Sequence, residues 1–160
     1  MKTTSLLAAL GAATAVAGIA VLPASGQDQA VTRTLTFTST QTAKDTKFVD
    51  VKPKGYSVGD SMLLSSLLHA GGRVAGRVEG HCILQDPAYH AQACTITAIL
   101  AGGTITLQGA GLDKKLPGIA GTGEAYAITG GTGDYVGAAG AMTRKGNGRR
   151  DTLTFTLDAG

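Results

Sequence analysis

Apolar and polar residues alternate with a period of two along most of the chain. Between Val31 and Thr38 (VTRTLTFT), Val31, Leu35 and Phe37 fall on one face and threonines on the other. The stretch Thr152 to Asp158 (TLTFTLD) repeats the arrangement near the C-terminus. Alternation of this kind predicts half-buried β-strands. Further strands are predicted at about 60–69, 72–84, 91–100, 103–110, 120–129 and 138–145. Short glycine-bearing connections separate several of them: Ala70 to Gly72, Ala101 to Gly103, and Lys145 to Gly148. Gly and Asn accept the positive φ of tight hairpins, so neighbouring strands should pair antiparallel in sequence order. No amphipathic helical period stands out. The expected fold is therefore all-β, an eight-stranded antiparallel up-and-down β-barrel of calycin-like form. Closure is favoured because it removes exposed edges; a two-sheet sandwich fits the same pattern. Residues 39–59 lack alternation and carry Lys44, Asp45, Lys47, Asp50, Lys52 and Lys54, which predicts a long, solvated first connection.

The strand at 72–84 tells inside from outside. Val74, Val78, Cys82 and Leu84 share one parity, and Arg73, Arg77, Glu79 and His81 share the other. Charged side chains are seldom buried without partners, so the first set should face the lumen. The second should face solvent or a neighbouring subunit. A luminal catalytic array of Arg77, Glu79 and His81 would need the opposite orientation. If the barrel binds an apolar small molecule, its cavity lining would include Val78, Cys82, Ile96, Leu107, Tyr126 and Phe155, with few polar groups to steer chemistry.

The first 26 residues stand apart. Lys2 is followed by an uncharged apolar stretch from Leu6 to Leu22, then Pro23, Ala24, Ser25 and Gly26. This is the order of a secretory signal peptide with small residues at the cleavage site. The stretch is marginal for spanning a bilayer, so removal is expected rather than retention as an anchor. The domain would then be residues 27–160, exported and extracellular, with no membrane partner left. Export puts the two cysteines in an oxidising compartment. A hairpin loop centred on Ala88 brings Cys82 opposite Cys94, Gly80 opposite Ile96 and Val78 opposite Ala98. A Cys82–Cys94 disulfide follows, in preference to a free nucleophilic thiol.

Composition limits the chemistry. The 14 Lys and Arg against 11 Asp and Glu leave no strongly basic footprint, so a nucleic-acid partner is not expected. With no Trp and 4% aromatic residues, stacking platforms for carbohydrate are scarce. His69, His81 and His90 have no metal-ligand spacing, and neither a metal nor a cofactor is expected. No G-x-S-x-G elbow occurs. The cluster Arg144, Lys145, Arg149 and Arg150 flanks a turn and is read as a solvated hairpin tip. Glu124 and Asp60 are the candidate inward carboxylates, with Asp60 more simply a turn or strand-entry residue.

Three stretches carry a resemblance: Ser57 to Leu64 (SVGDSMLL), Gly72 to Cys82 (GRVAGRVEGHC) and, above all, Ala127 to Gly140 (AITGGTGDYVGAAG). Together they resemble the allene oxide cyclase and dirigent superfamily, in order and spacing, over roughly residues 31–158. The resemblance implies a small eight-stranded barrel, often a homotrimer, whose apolar cavity shapes a reactive hydrophobic ligand. In the cyclases a first-strand carboxylate assists isomerisation; Thr32 to Thr40 here holds no Asp or Glu. Cys82 falls where those enzymes have a cavity-facing cysteine. The dirigent proteins place basic residues after the Gly-Gly-Thr-Gly segment, where this chain has Asp134 and then Val136 to Ala139. From the residues themselves, Gly130 to Gly140 reads as a chain reversal that lets Tyr135 cover one barrel end. Three functions remain open: a barrel that binds a small hydrophobic molecule and guides its cyclisation or coupling, a lipid or metabolite carrier, and a structural or interaction barrel with a filled lumen.

Overall fold

In a computed structural model, residues 32–41, 44–51, 53–112, 125–146 and 149–158 are described. The segment 1–26, Val31, Lys52 and Glu124 lie outside them, so the expectations placed there are not addressed by the structure. Nine strands follow in order: β1 (Arg33–Thr40), β2 (Thr46–Val49), β3 (Ser61–Ala70), β4 (Arg73–Asp86), β5 (Ala91–Leu100), β6 (Gly103–Leu112), β7 (Ala125–Gly131), β8 (Gly140–Gly146) and β9 (Arg150–Leu157). Among the described residues the helical content is one 3-10 turn, Gly133–Tyr135.

Each strand from β3 to β9 pairs antiparallel with the next, and β9 pairs with β1 along its whole length. Pairing of β1 with β3 closes the ring, with Thr38 opposite His69, Ser39 opposite Leu68 and Thr40 opposite Leu67. The result is an eight-stranded, closed, antiparallel barrel. Strand β2 was not expected, because Thr46–Val49 sits inside the charged connection and shows no alternation. It pairs only with β3, from Thr46 opposite Leu64 to Val49 opposite Ser61. It thus continues the line of β1 along the remaining edge of β3 after a short interruption.

The core follows from parity. Phe37, Leu68, Val78, Ile96, Leu107, Tyr126, Met142 and Phe155 are buried inside the ring, while the intervening threonines and charged residues point outward. Enclosing a Leu or Phe of this kind contributes roughly 1.5–3 kcal/mol of transfer free energy. The β4–β5 register is the expected one: Cys82 opposite Cys94, Gly80 opposite Ile96 and Val78 opposite Ala98. Cys82 and Cys94 are joined by a disulfide. The connecting turn is stabilised by Asp86, whose Oδ1 accepts from the Ala88 N–H at 2.8 Å.

One face assignment is corrected. Val74 is 62% exposed, whereas Val78, Cys82 and Leu84 are buried as expected. The register shifts between Leu68 and His69, where Leu68 opposes Gly76 and His69 opposes Val74. The extra residue, Ala75, inverts the in-out order of β4 beyond it, which is what a β-bulge does. Ala75 packs against the core in place of Val74.

Candidate functional site

The two ends of the barrel differ in construction. At the end where β3–β4, β5–β6 and β7–β8 connect, the chain after β7 folds across the opening. Thr132 N–H donates to Thr104 O (2.9 Å), Asp134 N–H to Gly102 O (2.9 Å) and Tyr135 N–H to Thr132 O (3.1 Å). Tyr135 is buried there as a floor, and the Arg33 guanidinium lies 5.7 Å from its ring centroid. Gly131 makes this possible: a Cβ at that position would overlap Tyr135 O and stand 2.6 Å from Thr104 O. The sequence expectation that the glycine segment seats Tyr135 over one end therefore holds.

At the opposite end the lumen holds a cavity of about 50 Å³. Its apolar wall is Leu64, Val78, Ile96, Tyr126, Met142 and Leu153. Ser39, Gln41, Arg144 and Asp151 supply the polar part of the lining. Of the six residues expected to line a cavity, Val78, Ile96 and Tyr126 do so. Cys82, Leu107 and Phe155 are buried in the core around it, with the Cys82 sulfur bonded to Cys94. The Tyr126 ring lies over β6 because Gly109 offers no side chain; a Cβ there would stand 2.6 Å from Tyr126 Cδ1. A void of this size admits a substituent of a few heavy atoms, well short of the roughly 300–1,000 Å³ that encloses a drug-sized molecule. A larger depression, about 480 Å³, lies outside the wall beside Thr38, Thr40, His69 and Arg150. Its lining is more polar than apolar, so it offers less apolar surface than the lumen in proportion.

The polar part of the lining was missed from sequence. Arg144 Nε donates to Asp151 Oδ2 at 2.8 Å, with Asp151 buried and Arg144 partly so. Arg144 is thus not part of a solvated hairpin tip, although Lys145, Arg149 and Arg150 are exposed. The signal was present: Asp151 shares parity with Leu153, Phe155 and Leu157, and Arg144 shares parity with Met142. Beside this pair, Ser39 and Ser66 hydroxyls meet at 2.7 Å across the β1–β3 seam, and Ser66 Oγ donates to Thr40 O at 3.1 Å.

Asp60 is buried but serves the chain rather than the lumen. Its Oδ1 accepts from Val51 N–H (2.8 Å) and Ser57 Oγ (3.0 Å), and its Oδ2 from Ser57 N–H (2.8 Å). The Ser57 backbone N–H is the main cause that holds its carboxyl below the usual 3.8, against the opposing effect of burial. Arg77, Glu79 and His81 are exposed on the outer wall as their parity required. Arg77 Nη2 contacts Glu79 Oε1 and Ser65 Oγ, each at 2.7 Å. They form no luminal array. Among the described residues no group of three or more His, Cys, Asp or Glu converges on a metal position.

The fold of this closed barrel is similar to that of dirigent proteins of known structure. Solved structures similar to it include a pyocyanin demethylase, 26% identical with a TM-score of 0.59, covering 79% of this chain and 99% of that one. The pterocarpan synthase dirigent protein GePTS1 is 15% identical with a TM-score of 0.58, covering 79% and 83%. AbnU, an exo-specific intermolecular Diels-Alderase, is 11% identical with a TM-score of 0.53, covering 79% and 98%. The likeness to the latter two is one of fold. No protein-family model matches the chain, and no curated protein matches it in sequence.

Proposed function

We propose that the chain is an exported barrel that binds a small hydrophobic molecule at the lumen and orients it for cyclisation or coupling, without supplying redox power. The observation that carries this reading is the apolar cavity of Val78, Ile96 and Tyr126 with the Arg144–Asp151 pair in its polar lining. An apolar substituent enters the cavity, and a polar group on the same ligand meets the ion pair. Restricting such a molecule to one geometry can accelerate a reaction on its own. Similar barrels carry names for a demethylation, a pterocarpan synthesis and a Diels-Alder reaction, which supports a scaffold for small organic molecules over one fixed chemistry. The disulfide supports export. A homotrimer belongs to this reading through the resemblance of the glycine segment.

Titration with a panel of hydrophobic ligands tests the binding. Saturable binding is expected for a ligand with one small apolar end and one polar end, and Asp151→Asn should weaken it by roughly tenfold. Product analysis with a reactive precursor then separates guidance from carriage: unchanged product ratios leave a carrier. The narrow lumen favours a second reading, a barrel filled by its own side chains, since Leu68, Ile105, Leu107, Met142 and Phe155 are almost wholly enclosed. Absence of saturable binding across the panel selects that reading.

A further inference from the structure

We propose that the cavity end of the barrel docks on an anionic lipid surface. Among the described residues the exposed aromatic side chains, with Val58, lie at this end on three connected segments, while Val74 and Val136 are exposed at the other end. Phe48 on β2 is 50% exposed, Tyr56 and Val58 in the β2–β3 connection are 62% and 67% exposed, and Tyr89 in the β4–β5 turn is 40% exposed. They are not loosely placed. Tyr56 stacks on His90 at 4.5 Å and 11°, and Phe48 meets Tyr56 at 5.9 Å. The connection that carries Tyr56 and Val58 is held by the buried Asp60 carboxylate through Val51 and Ser57. That connection is therefore held by part-buried hydrogen bonds beneath it.

Exposed cations also lie at this end. Lys47 precedes Phe48 on β2 and Lys54 lies two residues before Tyr56, while Lys145, Arg149 and Arg150 lie at the β8–β9 hairpin, all exposed. Most of the described acidic groups here are committed. Asp60 and Asp151 are buried in their own bonds, Asp86 is half-buried and binds its turn, and Asp45 is half-buried. Among the described residues at this end, Asp50 is exposed and accepts from Gly55 N–H at 3.3 Å. Projecting apolar tips set among cations match the boundary between anionic headgroups and acyl chains. A polyanion without an apolar phase would leave Val58 and Phe48 in water, so lipid is the partner that uses both halves of the surface.

Docking differs from spanning. No helix among the described residues is long and apolar enough to cross a membrane, and a surface contact runs against the sequence expectation of no membrane partner. It goes beyond the luminal reading and stands apart from it, because vesicle binding requires no ligand in the barrel. Docked in this way, the cavity would open towards the phase in which apolar molecules concentrate.

Flotation of the protein, its N-terminus fixed by mass spectrometry, with phosphatidylcholine vesicles containing or lacking phosphatidylglycerol is the test. Binding to the anionic vesicles alone is expected. Combining Phe48→Ser, Tyr56→Ser and Val58→Ser should lower it by about tenfold or more. Lys47→Gln and Lys54→Gln should each lower it about fivefold. The pair Val74→Ser and Val136→Ser removes exposed apolar groups from the opposite, floor end and should leave binding unchanged, with unaltered circular dichroism in every variant. The proposal is overturned by a protein that floats with neither vesicle. It is equally overturned by a serine variant that binds as the parent does, which would assign the surface to polyanions such as heparin. A serine variant that sediments as a smaller assembly would assign it to a contact between copies of the chain.

Discussion

The floor of the barrel and its cavity end are closed by different physics. At the floor, backbone packs on backbone: Gly131 lies against Tyr135 and Thr104 with no room for a Cβ, and three main-chain hydrogen bonds lock the reversal. At the other end, side chains define the surface through an ion pair, a hydroxyl bridge and a carboxylate that organises a loop. Backbone contacts tolerate almost no substitution, whereas a side-chain surface can change its chemistry while the ladder beneath stays intact. The floor fixes that a barrel forms; the cavity end is free to decide what it meets.

The sharpest way to break this contrast is at Gly131. Gly131→Ala should cost on the order of 3 kcal/mol or prevent folding, because the clashing partners are main-chain atoms that cannot rotate away. Urea unfolding that matches the parent would mean that the floor is not fixed by backbone contact. The disulfide is intermediate, since it crosslinks the β4–β5 wall beneath the exposed turn. Replacing both Cys82 and Cys94 with Ala should lower stability by about 3 kcal/mol or somewhat less in the chain-entropy model, given a sequence separation of 12. Denaturation of the two proteins without reductant measures it. The smallest effect is expected at Asp60. Its carboxyl is held below 3.8 in the folded chain, so its stabilisation is complete above that value and fades as pH falls through the lower folded one. The thermal midpoint of the parent should therefore drop more steeply between about pH 5 and pH 2 than that of Asp60→Asn. Parallel curves would remove Asp60 from the account of how the loop is held.

Much of the fold was legible because burial in a barrel has a period of two. Parity placed Phe37, Val78, Tyr126 and Phe155 inside, and centring the hairpin on Ala88 gave the disulfide register. The same rule, followed through polar residues, would have found Arg144 and Asp151. They were passed over because charges at the edge of a turn ordinarily face water, and only the ion pair reverses that preference. Val74 was misplaced because an inserted residue changes parity without leaving a mark in composition. Strand β2 was invisible for another reason: four half-solvated residues on one edge of β3 need no alternation to pair. Clustering of exposed side chains from β2, the β2–β3 connection and the β4–β5 turn depends on contacts remote in sequence, which no local pattern encodes.

The absent side chain at Gly109 has a consequence for descent. Because the Tyr126 ring occupies the space that a Cβ would take, the shape of the lumen is set by where a small residue falls along β6 rather than by the hydrogen-bonded frame. A lineage can move that vacancy by one inward position and relocate the ring, redrawing the interior while every strand keeps its partner. Barrels built this way can diverge in interior shape far faster than in architecture.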